Sequence, residues 1–216
     1  MDKGQQVLDA ESFFEVAHVS RETMERLSVY ESLLRKWQGS INLVSKTTLD
    51  DVWRRHFLDS TQLMVLSSEK HLKWADFGSG AGFPGLVLAI LARDRAGFQM
   101  NLVESDQRKS VFLREVIRET DAPAVVHTSR IEAPETIAAI GPCDALSARA
   151  CAPLGRLMGW AEPYFSSATE AFFLKGAQAD EELTLARKSW TFRVTSYPSQ
   201  ADPEGCVLKV EQLARV

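Results

Sequence analysis

The chain has 216 residues, 45% hydrophobic and 25% charged, with a formal net charge of −4. Such a composition suits one ordinary core with a small appendage, and its acidic balance argues against a protein that coats nucleic acid non-specifically, while leaving room for a local basic patch. No charged-then-apolar leader is visible and no apolar run reaches the ~18 residues of a membrane helix, so a cytosolic protein without membrane contact is expected.

Residues 1–70 read as helical. Met24, Leu27, Tyr30, Leu33, Leu34 and Trp37 recur at spacings of three and four, the apolar face of one helix, and Gly39 stops it. A second helix is expected over residues 49–66, with Val52, Trp53, Phe57, Leu63 and Met64 turned inward. From Leu72 onward short apolar strands alternate with helical stretches, the pattern of a parallel α/β sheet. Strands are expected at 72–77, 98–103, 124–128, 145–150 and 171–174. Helices are expected at 85–92, opened by Pro84, and at 106–119, begun by Asp106 and carrying Val111, Phe112, Glu115 and Val116 at helical spacing. A further helix is expected at 154–164, and residues 192–197 and 206–210 suit a β-hairpin across the long connection PSQADPEG. The chain thus reads as one α/β domain, 71–216, carrying an N-terminal helical extension, 1–70. Cys143, Cys151 and Cys206 form no CxxC pair and have no metal-ligand spacing around them, so they read as small buried hydrophobes in a reducing compartment.

The first strand runs into DFGSGAGFPG, residues 76–85, a strand–glycine–helix junction that brings backbone close to a ligand. The dinucleotide pattern G-x-G-x-x-G fails, because Phe83 stands where its third glycine belongs, and the phosphate loop fails because no lysine follows Gly85. Asp76, just ahead of the loop, would repel a pyrophosphate but suits a ligand with a cationic end, such as the sulfonium of S-adenosylmethionine. Glu104, at the end of the second strand, is placed to accept hydrogen bonds from ribose hydroxyls. Together Asp76, Gly78, Gly80 and Glu104 favour S-adenosylmethionine over NAD.

Five segments carry a resemblance to a known family: NLVSKTTLDDVWRRHFLDS (42–60), DFGSGAGFPGLVLAI (76–90), LVESDQRKSVFLREV (102–116), ARACAPL (148–154) and FLKG (173–176). In this order they resemble the glucose-inhibited division protein B family, whose members are guanine-N7 methyltransferases of small-subunit (16S) ribosomal RNA. The resemblance implies a class I, Rossmann-like methyltransferase fold with a seven-stranded sheet and a helical N-terminal cap. It implies cofactor contacts at Gly78, Phe83, Ile131, Glu132 and Arg149, with Glu104 as the ribose acid. The match departs at Ala148, where serine is expected before the arginine. A missing hydroxyl there loosens a local hydrogen bond without removing the activity.

Arg54, Arg55 and His56 on one helix suit a phosphate-contacting edge, and Arg130 and Lys175 are further candidates for RNA contact. The alternative for the first group is an i,i+4 surface pair between Arg55 and Asp59, with His56 half-buried. Arg108, Lys109, Arg114 and Arg118 read as an ordinary solvated helix face, and Cys151 as packing. Guanine N7 carries a free lone pair, so no side chain is assigned as a general base. Two other readings stay open from the residues alone: a ribosome-assembly factor with a degenerate cofactor pocket, and an NAD-dependent dehydrogenase.

Overall fold

The computed structural model describes residues 8–216, so the first seven residues of the expected N-terminal extension lie outside the described part. Helix α1 (Ala10–Ala17) begins where Asp9 accepts the Ser12 N–H, and α2 (Arg21–Gln38) where Ser20 accepts the Thr23 N–H. The expected apolar face of α2 is the buried one, with Leu27, Tyr30 and Leu34 fully inside, and Gly39 caps its end.

The helix expected over 49–66 is present without a break over 52–66, but it is not α throughout: a π-helix (Trp53–Leu58) runs directly into α4 (Asp59–Leu66), and a separate short α3 (Lys46–Leu49) precedes it. The Asp59 N–H reaches back to the Arg54 carbonyl, widening the turn. A 3.6-residue turn would carry part of this set outward; the wider one lets Trp53, His56, Phe57 and Leu58 all turn inward. Met64, also expected inside, is only partly buried.

The sheet follows: β1 (Lys73–Phe77), β2 (Gln99–Val103), β3 (Ala124–His127), β4 (Ala145–Arg149), β5 (Glu170–Lys175), β6 (Trp190–Pro198) and β7 (Cys206–Arg215). Their order is β3-β2-β1-β4-β5-β7-β6, parallel from β3 to β5, with β7 antiparallel to both neighbours. The expected hairpin is therefore present. Helices α5 (Gly85–Leu91), α6 (Gln107–Thr120) and α8 (Leu154–Ala161) occupy expected stretches, with α6 capped by Asp106. On α6 Phe112 and Val116 are buried, whereas Val111 is 51% exposed. Two helices were not anticipated, α7 (Pro134–Ile140) and α9 (Ala179–Ala186).

Alternating side chains of the strands feed two apolar layers. Trp74, Met100, Leu102 and Phe172 join α1, α2, α5 and α6 on one face; Ala75, Phe77, Leu146 and Phe173 join α8 on the other. The N-terminal helices thus share their core with the sheet. Ala148 sits wholly inside the second layer, paired with Phe77 and Phe173.

Candidate active site

From β1 the chain moves outward through β2 and β3, then returns to place β4 on the other side of β1. The crevice above the carboxyl ends of β1 and β4 is the switch point at which α/β sheets hold ligands. A cavity of about 680 Å³ opens there.

Gly78 and Gly80 form its floor with φ of 63° and 56°, left-handed values that suit glycine. A Cβ on Gly78 would stand 2.4 Å from Cys151 Sγ, whereas one on Gly80 would meet only the Gly78 carbonyl at 3.7 Å. Backbone at Gly80 is therefore open to a ligand. Glu104, almost fully buried, accepts the Gly80 N–H at 2.8 Å through Oε2 and the Asp106 N–H at 2.7 Å through Oε1. It fastens the loop to the end of β2 and keeps lone pairs for ribose hydroxyls.

The loop's far end rests on an aromatic stack. Phe83 lies between Tyr30 (centroids 5.1 Å apart) and His56 (4.7 Å), with Phe57 edge-on at 5.4 Å. The Tyr30 hydroxyl donates to the Ala81 carbonyl and so holds the loop from beneath. Arg149 donates to His56 Nδ1 at 2.5 Å and to the Arg55 carbonyl at 3.0 Å, and its guanidinium lies 5.2 Å from the Phe83 ring centre. Burial, reinforced by the charges of Arg149 and Arg55, drives the His56 pKa down to about 2. The ring is neutral, its proton on Nε2, because Nδ1 is occupied as an acceptor. Burial also lowers the Arg149 pKa and raises that of Asp59, whose Oδ1 accepts from Ser199 at 2.8 Å.

Eight of the expected site residues line this one cavity: Gly78, Gly80, Phe83, Glu104, Arg149, Arg55, His56 and Lys175. Asp76, Arg54, Arg130, Ile131 and Glu132 are not on its wall. Asp76 lies beneath the loop, fully buried, with Oδ1 accepting from Ser147 at 2.7 Å and Oδ2 without a hydrogen-bond partner. Burial raises its carboxyl to about 6, against the hydrogen bonds from Ser147 and Ser79. Arg54 stands 3.7 Å from Asp51, and Arg130, 79% exposed, 3.8 Å from Glu132. Ile131 is buried, and its carbonyl accepts from the Tyr164 hydroxyl at 2.7 Å.

The alternative pairing of Arg55 with Asp59 is not formed. Arg55 instead meets Asp202 at 3.1 Å, and Arg149 stands 3.9 Å from Asp59, because the π-turn rotates Arg55 toward the β6–β7 connection. Lys109 lines the cavity rather than belonging to a purely solvated face, and Arg108 donates to the Ser40 carbonyl at 2.6 Å. Among the three cysteines only Cys143 is fully buried; Cys151 and Cys206 are half-buried on the cavity wall, and burial lifts the Cys151 pKa to about 11. Sequence reasoning missed Tyr30, Asp59, Glu182, Ser199 and Asp202 as neighbours of the site. Tyr30 was visible only as a core position and Asp59 only as a surface partner of Arg55, while Glu182, Ser199 and Asp202 lie far along the chain from the loop.

A glycine loop after β1, a carboxylate after β2 and a cavity at the switch point of this sheet order define a class I S-adenosylmethionine-dependent methyltransferase. Over residues 23–204 the chain matches the GidB family, described as rRNA small subunit methyltransferase G, and it belongs to that family. It is 61% identical over 97% of its length, and 92% of the relative's, to the ribosomal RNA small subunit methyltransferase G of Parvibaculum lavamentivorans. Two solved structures share the fold at low identity. A precorrin-6y methyltransferase from Geobacter metallireducens aligns with TM-score 0.53 and 12% identity over 80% of this chain and 92% of that one. A mutant of MtNAS in complex with S-adenosylmethionine aligns with TM-score 0.56 and 14% identity over 96% of this chain and 85% of that one. Family membership sets aside the dehydrogenase and degenerate-pocket readings. Among the described residues no helix is long and apolar enough to cross a membrane, and no cluster of His, Cys, Asp and Glu is placed to hold a metal ion.

Proposed function

We propose that the protein methylates N7 of one guanine in 16S ribosomal RNA, in the cytoplasm, on the small ribosomal subunit or its assembling RNA. One observation carries this reading: the glycine loop and Glu104 share a single cavity with Arg55, His56, Arg149 and Lys175. Donor and base can therefore meet in one open cavity.

The open backbone at Gly80, the Glu104 carboxylate and the cavity's size fit S-adenosylmethionine. Gly78, Gly80, Phe83, Glu104 and Arg149 would hold it, Ile131 and Glu132 are further proposed contacts, and Asp76 would support the loop from below. When bound, this cofactor supplies a methyl group activated by a sulfonium. The protein's remaining work is to align the N7 lone pair with that methyl, a contribution of several kcal/mol. No proton has to leave N7. His56, neutral and with Nδ1 engaged by Arg149, fits a positioning role rather than that of a base. Positive charge passes from sulfur to purine, so the Glu104 and Asp59 carboxylates suit the walls. Arg54, Arg55, His56, Arg130 and Lys175 are the proposed RNA contacts. Residues 1–70 act as an extension and 71–216 as the methyltransferase domain.

Mapping N7-methylguanine in ribosomal RNA from cells with and without the protein tests the reading. Loss of one small-subunit site supports it. An unchanged map overturns it.

A further inference from the structure

At the end of the cavity opposite Glu104, β5 delivers Lys175, whose side chain is only 8% exposed. Its Nζ donates to the Ala152 carbonyl at 2.8 Å and meets Glu182 Oε2 at 2.6 Å. Glu182, in the first turn of α9, also accepts the Leu154 N–H at 2.5 Å, again through Oε2. Both partners are thus pinned by backbone of the segment that follows β4, and both line the cavity. A largely buried ion pair costs desolvation and is a poor way merely to join two elements. Here it keeps spare capacity: the ammonium has three donors, two of them engaged, and Oε1 carries neither of the contacts to Oε2.

Its chemistry fits one base. Along its pairing edge guanine presents the O6 acceptor, then the N1–H donor and the N2 amino donor. Adenine presents an amino donor and then a bare N1 acceptor. A lysine ammonium beside a carboxylate matches guanine atom for atom and opposes adenine at both positions. Holding guanine by this edge also leaves N7 unobstructed.

We propose that Lys175 and Glu182 select the target guanine, Lys175 donating to O6 and Glu182 accepting from N1–H and the N2 amino group. The proposal rests on the guanine-N7 reading above. It also implies a contribution to rate. As N7 takes the methyl, the ring becomes cationic and N1–H becomes a stronger donor, so the hydrogen bond to Glu182 tightens toward the transition state.

The test is single-turnover methylation of small-subunit RNA carrying either guanosine or inosine, which lacks the N2 amino group, at the methylated nucleotide. Wild-type enzyme should act about 10–100-fold more slowly on inosine, the worth of one hydrogen bond to a charged group. Glu182→Gln should slow the guanosine reaction to a similar degree and shrink the guanosine–inosine gap to about 3-fold or less. A purely structural role for the pair would lower the melting temperature and leave that gap intact, which overturns the proposal. If Glu182→Gln does not fold, the wild-type comparison decides alone: equal rates on the two RNAs overturn the proposal. Absence of N7 methylation on the guanosine RNA overturns the underlying reading, and this proposal with it.

Discussion

Replacing Gly78 by alanine puts two separable strains on the site. The position has φ of 63°, and a residue with a Cβ pays roughly 1–2 kcal/mol to hold a left-handed conformation. The new Cβ would also stand 2.4 Å from Cys151 Sγ, an overlap in the range where overpacking costs about 1–3 kcal/mol. Gly78→Ala should therefore destabilise the protein by about 2–5 kcal/mol and weaken S-adenosylmethionine binding. Only the second strain involves the thiol. With Cys151→Ala added, the nearest contact becomes the residue-151 Cβ at 3.3 Å, tight but tolerable. The double variant should recover about 1–3 kcal/mol relative to the sum of the single variants, a coupling of that sign in a double-mutant cycle. Urea unfolding of the four proteins, with calorimetric titration of S-adenosylmethionine alongside, measures both terms. Simple additivity would refute the reasoning: the sulfur would then not be what requires glycine at this turn.

Three other outcomes are expected. His56 titrates near 2 in the folded chain against 6.5 when unfolded, so in that interval the unfolded chain binds the extra proton and stability rises with pH, by up to ~1.4 kcal/mol per unit. Asp76, raised from 3.8 to about 6, acts with the opposite sign between those values, and the two slopes largely cancel. Urea unfolding from about pH 4 to pH 6 should therefore show a steeper acid loss in Asp76→Asn and a gain on acidification in His56→Gln; matching slopes in both variants would contradict the assignment. Tyr30→Phe leaves the Ala81 carbonyl without its donor and should cost about 1–3 kcal/mol while lowering cofactor affinity, with the ring stack on Phe83 retained. Arg55→Ala loses a half-exposed pair with Asp202; unfolding should change by at most ~1 kcal/mol while RNA methylation falls, and a large loss of stability would return Arg55 to a structural role.

The parallel strands and the glycine loop were legible because each is a local pattern: an apolar run, a turn residue, a following helix. The terminal hairpin was legible for the same reason. The π-helix was not, since Val52, Trp53 and Phe57 fit an α-helical face well enough. His56 falls on that same face, and only the burial of Leu58 beside Phe57 departs from α-helical spacing. Helix α9 escaped notice because its first turn is acidic and its buried residues are only Ala179 and Ala186, too weak a stripe to read. Within the site, Glu104 followed from a strand end and Arg149 from the family resemblance, whereas Asp202 and Glu182 reach the cavity by long-range folding that no spacing encodes. Asp76 was expected to face a cationic ligand end, but its carboxyl is fully buried off the cavity wall and accepts from Ser147 beneath the loop.

The position of β7 between β5 and β6 has a consequence for how the chain is made. During synthesis β6 emerges while the strand that must separate it from β5 does not yet exist. It runs in the same direction as β5 and is joined to it through α9, the geometry of an ordinary parallel crossover, so β5's open edge is an invitation to pair wrongly. The escape is local. Eight residue pairs join β6 to β7, which follow one another directly in the chain, and a hairpin closes in microseconds once both arms are available. The finished hairpin can then dock as a unit. The Arg193–Glu211 bridge across its arms is thus expected to matter more to the yield of folded enzyme than to its melting point, since what it favours is the order in which edges are taken.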